Sequence, residues 1–165
     1  MNKIKSLIVL GFLFWAATAG FSIGPFNPGG TPGTIVDTST GLTWTQCSMG
    51  QTTTAPCTGT PTTSTWSAAL NYCNTLTTGG LVWRLPNIKE IYTILNFAFE
   101  APSISTGSFP NTPSASDSYY WTSTTHPSPD GSGGRNRAMI VDFREGGSDD
   151  DLKTGLHYVR CVTGP

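Results

Sequence analysis

The run WSAALNYCNTLTTGGLVWRLPNIKEI, from Trp66 to Ile91, decides the fold class. Trp66, Ala69, Leu70 and Cys73 recur at i, i+3, i+4 and i+7, so the spacing predicts a helix with Ser64 or Thr65 at its N-cap and Cys73 on its buried face. Gly79-Gly80 breaks that pattern. Asn87 then opens an N-x-x-E capping box with Glu90, ahead of Ile88, Ile91, Leu95 and Ala98 at helical spacing, which predicts a second helix of about three turns.

Outside this run the helical signal disappears. Gly and Pro number 19 and 12 of 165 residues and Ser plus Thr fill about a quarter of the chain, a composition that favours strands and loops and argues against an all-helical bundle. Ile35-Val36-Asp37, a Ser-Thr-Gly turn and Leu42-Thr43-Trp44 read as a strand hairpin. Tyr119 to Thr125, Ala138 to Arg144 and Leu156 to Thr163 read as further strands. Met139, Val141 and Phe143 share one face of the second of these. In the last, Val159 and Cys161 point one way and Tyr158, Arg160 and Val162 the other. The stretches 48–64 and 101–118 are loops, the second holding Ile104 and Phe109 as plugs into the core.

Only 12% of residues are charged, the net charge is −1, and no cluster of basic residues stands out, which removes nucleic acid as a partner. Lys3 and Lys5 precede an apolar run from Leu7 to Ala17 and the small residues Ala17-Thr18-Ala19, the pattern of a secretory signal peptide cleaved after Ala19. The run is too short to span a bilayer. A lipid anchor at that point would need a cysteine, and the first is Cys47. The expected organisation is therefore a signal peptide at 1–19, a flexible Gly/Pro leader at 20–33 and a single domain at 34–165, with no membrane span in the mature protein and a periplasmic or extracellular destination. Losing Lys3 and Lys5 makes the mature net charge −3.

Export makes disulfides the default for Cys47, Cys57, Cys73 and Cys161, which lack C-x-x-C spacing. Three connectivities exist. A Cys47–Cys57 bridge would staple the 48–64 loop, and the inward faces of Cys73 and Cys161 make these two the long bridge.

The motifs D-T-S-T-G-L-T-W (Asp37 to Trp44), W-x-x-A-L-x-Y-C (Trp66 to Cys73), W-R-L-P-N-x-x-E-I (Trp83 to Ile91), Phe109-Pro110, Y-W-T-S-T (Tyr120 to Thr124), V-D-F-x-x-G (Val141 to Gly146) and V-R-C-V (Val159 to Val162) occur in the order seen in the Lcl C-terminal domain family. The resemblance covers about residues 34–162. It implies an α+β, C-type-lectin-like fold, shared with formylglycine-generating-enzyme-like domains: two helices packed on small antiparallel sheets, long irregular loops that carry ligands, and a disulfide from helix to last strand. It also implies an exported or surface-displayed recognition domain, with adhesion and carbohydrate binding as the suggested role. Fold alone does not assign function.

Tyr119, Tyr120 and Tyr158 are candidate ligand contacts, whereas Trp44, Trp66, Trp83 and Trp121 read as packing. Arg135, Arg137, Arg144 and Arg160, with Lys153, are candidates to hold a sulfated or carboxylated glycan through charge-assisted bonds, against interleaved Asp142, Glu145, Asp149, Asp150 and Asp151 that favour a mixed solvated surface. Those three consecutive aspartates offer oxygen ligands to calcium, but without EF-hand spacing or the tripeptides of sugar-binding C-type lectins, so no cofactor is expected. Arg84 and Glu90 read as a cap and ion pair rather than a catalytic pair. His126 and His157 are the only imidazoles and sit in no hydrolase or metalloprotease motif, and four bridged cysteines leave no thiol for oxidase chemistry. The expected protein is a noncatalytic binding domain for a glycan or protein ligand, using loops 101–118 and 126–137. The alternative is a structural subunit of an extracellular assembly, with the leader as a tether or packing arm; a third reading, ranked below both, is an exported formylglycine-generating-like enzyme.

Overall fold

The computed structural model describes residues 24–127 and 134–165. The expected signal peptide, the first residues of the expected leader and residues 128–133 of the second expected contact loop lie outside the described residues. Among the described residues two α-helices and two small sheets make an α+β fold. One sheet has the order β1-β2-β3-β9, from Phe26–Pro28, Thr34–Asp37, Thr43–Thr45 and Val162–Thr163. The other runs β4-β8-β5-β6-β7, from Thr63–Ser64, His157–Tyr158, Tyr119–Thr125, Arg137–Asp142 and Ser148–Leu152.

The D-T-S-T-G motif makes the turn between β2 and β3. The buried Asp37 carboxylate accepts from the Ser39 amide (2.9 Å), the Ser39 hydroxyl (2.6 Å) and the Thr40 hydroxyl (2.8 Å), so the side chain builds the turn itself. Part of the expected leader belongs to the fold. Phe26–Pro28 adds β1 to the edge of β2, and Phe26 meets Phe109 edge to face at 5.3 Å. Its proline is tolerated because an edge strand has one side without a ladder.

Helix α1, Trp66–Thr75, buries Ala69 and Cys73 as its periodicity requires. Thr65 stands at the N-cap but its side chain makes no capping bond; the Trp66 amide donates instead to the Lys153 carbonyl at 3.1 Å. Helix α2, Ile88–Tyr92, opens with the expected reciprocal box: the Asn87 carboxamide oxygen accepts from the Glu90 amide (3.0 Å) and the Glu90 carboxylate from the Asn87 amide (2.8 Å). It is shorter than three turns. After Tyr92 the chain tightens into i to i+3 bonds through Leu95, and Ala98 is exposed, so the helical spacing extends further than the helix.

The sheets are not wholly antiparallel. β8 touches β5 in parallel at Tyr120 and Tyr158, because the chain reaches it by crossing from β7 to the far side of β5 and not by a hairpin between neighbours.

The core divides into two clusters. Ile35, Trp44, Ile91, Leu95, Phe109 and Phe143 belong to the first, and Ala69, Cys73, Trp83, Leu85 and Trp121 to the second. β5, β6 and the closing segment 158–162 run between them. Tyr120, Val141 and Val162 face the first cluster, whereas Trp121, Ile140, Val159 and Cys161 face the second. Strand alternation here separates two interiors. Disulfides join Cys47 to Cys57 and Cys73 to Cys161, the second tying α1 to the closing segment. Two disulfides fit an oxidising compartment outside the cytosol. Among the described residues no helix is long and apolar enough to cross a membrane.

Candidate functional site

Two of the eight candidate contact residues are core. Tyr120 is fully buried, its hydroxyl 2.6 Å from the Ser48 hydroxyl, and burial pushes its phenol pKa up. Arg160 is 1% exposed. Its guanidinium donates to the Thr45 carbonyl (2.8 Å), the Gln46 carbonyl, the Thr112 hydroxyl (3.0 Å) and the Ser48 hydroxyl (3.3 Å), and lies over the rings of Phe109 and Tyr120. Burial pulls its pKa down. The expectation that either residue meets ligand is therefore corrected: Tyr120 belongs to the first cluster and Arg160 packs on two of its rings, so the outer face of the predicted strand is an interior.

The remaining candidates do not converge. Tyr158 is half-buried against the first cluster, and Tyr119 half-buried beside the second. Arg137 pairs with Asp150 on β7, Arg135 is exposed and its carbonyl accepts from Lys153, and Arg144 is exposed next to Glu145, at 3.7 Å. Arg137 begins β6 and Arg144 lies beyond its other end, roughly 20 Å away at the strand's rise per residue. No single basic face exists among them.

The acidic run is likewise divided. Asp150 faces Arg137 and His126, the latter at 3.8 Å, while the Asp151 carboxylate bonds the His157 Nε2 at 2.8 Å. Among the described residues no group of three acidic, His or Cys side chains is placed to hold a metal. Burial pushes the Asp151 carboxyl up, but the His157 bond, the Leu152 amide and Arg137 together outweigh it and hold the carboxyl below its ordinary value of 3.8. Gly155 sits against this carboxylate, where any Cβ would come within 2.2 Å of its oxygen. Across the β4–β8 pairing Ser64 faces His157, an acid–imidazole–hydroxyl sequence in outline. The Ser64 Oγ and His157 Nδ1 are both closed to solvent and neither has a hydrogen-bond partner among the described residues, so the imidazole does not hold that hydroxyl.

One surface feature does gather exposed aromatic and charged groups. The Asn96 amide donates to the Ser103 carbonyl at 2.9 Å and pinches residues 97–102 into a projecting loop. Phe97 and Phe99, 66% and 50% exposed, stand on it. The far end of the loop is pinned to the end of β6. Ala101 donates to the Arg144 carbonyl (3.0 Å), Ser103 to the Phe143 carbonyl (2.6 Å), and the Ser103 hydroxyl to the Arg144 carbonyl (3.0 Å). Between these walls lies a groove of about 310 Å³, with Glu100, Arg144 and Glu145 on its rim. The turn that follows depends on Gly146, whose φ of +81° favours glycine and whose Cβ would lie 2.4 Å from the Phe97 ring.

Of the contact candidates read from the sequence, Arg144 lines this groove, as do Ala101 and Ser103 of the expected 101–118 contact loop. Phe97, Phe99 and Glu100 are not among them, and Glu145 enters the sequence reading only among the interleaved acids. No local pattern marks them, because α2 already ends at Tyr92 and the loop that carries them is set by bonds to residues 143–144.

No curated protein matches the chain. A family model, the Lcl C-terminal domain, matches residues 33–163, from the residue before β2 through the last strand. That span contains both disulfides, and in it the Asp37 turn, the Asn87–Glu90 box, the Cys73–Cys161 bridge and the buried Arg160 are places where the ordered motifs carry structure; the chain belongs to the Lcl C-terminal domain family.

Proposed function

We propose that this chain is an exported, noncatalytic recognition domain of C-type-lectin-like type that takes a glycan or protein ligand in the groove between residues 97–103 and 143–146. The observation that carries this reading is the pair of exposed phenylalanines on a loop fixed at both ends by backbone hydrogen bonds, since exposed apolar groups in a preformed concavity mark binding surfaces. The four bridged cysteines and the solvent-excluded Ser64 hydroxyl support a role without catalysis. Adhesion is the biological setting such a domain would serve. The alternative of an assembly subunit with a free tether draws no support from Phe26–Pro28, which pairs with its own sheet.

The test is to probe the oxidised protein on a glycan array, with and without calcium, and against a displayed peptide library, alongside a Phe97→Ser/Phe99→Ser variant of unchanged circular dichroism. Ligands lost by the variant support the groove. A ligand held equally by both proteins places recognition elsewhere, and the absence of any ligand in either class overturns the recognition reading.

A further inference from the structure

Carboxylates outnumber basic groups around the groove. Glu100 and Glu145 stand on its walls. Asp142 begins the turn that carries Arg144 and Glu145, accepting from the Arg144 amide at 2.7 Å. Against these acids stands Arg144, whose guanidinium already has Glu145 beside it at 3.7 Å. A sulfated or carboxylated glycan entering here would meet like charge.

The apolar part of the groove points the same way. Its platform is phenylalanine, which has a ring face but no polar tip, and Ser103, the hydroxyl on the wall, donates to the Phe99 and Arg144 carbonyls, so the side chains left to bond an occupant are the two carboxylates and Arg144. Phenylalanine faces accept aliphatic side chains and, through the ring quadrupole, ammonium or guanidinium groups. From this acidic surround and paired ring surface we infer that the occupant of the groove is an extended protein segment in which an apolar side chain alternates with Lys or Arg. Such a segment sets its apolar side chains against Phe97 and Phe99 and its cations toward Glu100 and Glu145. This inference rests on the groove being the recognition site.

Fluorescence anisotropy of the full-length oxidised protein with three probes tests it: a labelled peptide of alternating Leu and Lys, its counterpart with Glu in place of Lys, and a labelled heparin oligosaccharide. The Leu–Lys peptide is expected to bind and the other two not. Glu100→Gln/Glu145→Gln should weaken that binding about two- to tenfold at low salt and less at high salt. Phe97→Ser/Phe99→Ser should weaken it more than tenfold at either. Failure of the Leu–Lys peptide to bind, equal binding of the Glu peptide, or indifference to the glutamine variant overturns the basic occupant. Heparin binding that the serine variant abolishes also overturns it, while leaving the groove as a site. Peptide binding that survives the serine variant overturns the groove itself.

Discussion

Arg160→Met should destabilise the protein without touching its ligand surface. The guanidinium lies in the interior with no carboxylate beside it among its hydrogen-bond partners, solvated by two carbonyls, two hydroxyls and two aromatic rings. Methionine fills the volume and removes the burial of a charge, which works in its favour. It also strands what the cation served. The Ser48 hydroxyl keeps Tyr120 and the Thr112 hydroxyl still donates to the Phe109 carbonyl, so the loss falls on the Thr45 and Gln46 carbonyls. Two partly buried acceptors left unpaired cost up to about 1–3 kcal/mol each, and the ring contacts add about 0.5–2 kcal/mol. With the relief of desolvation set against these, the net should be about 2–4 kcal/mol, a fall in Tm of roughly 5–15 °C. Thermal melts followed by circular dichroism measure it. Arg160→Lys adds a signature: a buried lysine has a depressed folded pKa, the unfolded state binds more protons, and stability should rise with pH where the parent's does not. A methionine variant that melts within about 2 °C of the parent yet loses ligand would refute the reasoning and return Arg160 to the binding surface.

Three further outcomes follow from other parts of the molecule. Replacing Cys73 and Cys161 by Ser opens an 88-residue separation and should remove about 4–5 kcal/mol, against about 3 kcal/mol for Cys47 and Cys57 with their separation of 10; equal losses in guanidinium melts would contradict the loop-entropy account. Glu90→Ala removes half of the capping box and the two 2.7 Å bonds to Arg84, and should cost about 1–2 kcal/mol in urea, with Glu90→Gln milder because it still reaches the Asn87 amide. Asp151, whose folded pKa is lowered, contributes stability that is complete above its unfolded value of 3.8 and is lost as pH falls through the folded one. Asp151→Asn should therefore flatten the acid limb of a stability–pH curve below about pH 5, and an unchanged limb would show that the His157 contact does not stabilise the fold.

Much of the architecture was legible because its signals are local. The Asn87–Glu90 box, the buried face through Ala69 and Cys73, and the turn built by Asp37 each lie within a few residues of chain. The Cys73–Cys161 pairing followed from which way the two side chains face, and the Cys47–Cys57 pairing from the loop that it staples. Tyr120 and Arg160 misled because alternation tells which residues share a side, not whether that side meets water, and here both sides are packed. β1 was missed since a Gly/Pro-rich stretch gives no sign of the strand it will pair with. The groove was hidden for the same reason: Phe97 and Phe99 project because residues 101–103 bond to 143–144, some forty positions away.

The closing segment carries a mechanical consequence. Because Tyr158 and Val162 pack into one cluster and Val159 and Cys161 into the other, neither half can melt while its neighbour stays intact without dragging this shared septum out of place. Calorimetry should accordingly record one all-or-none transition with matching van't Hoff and calorimetric enthalpies, although the strands are few and short.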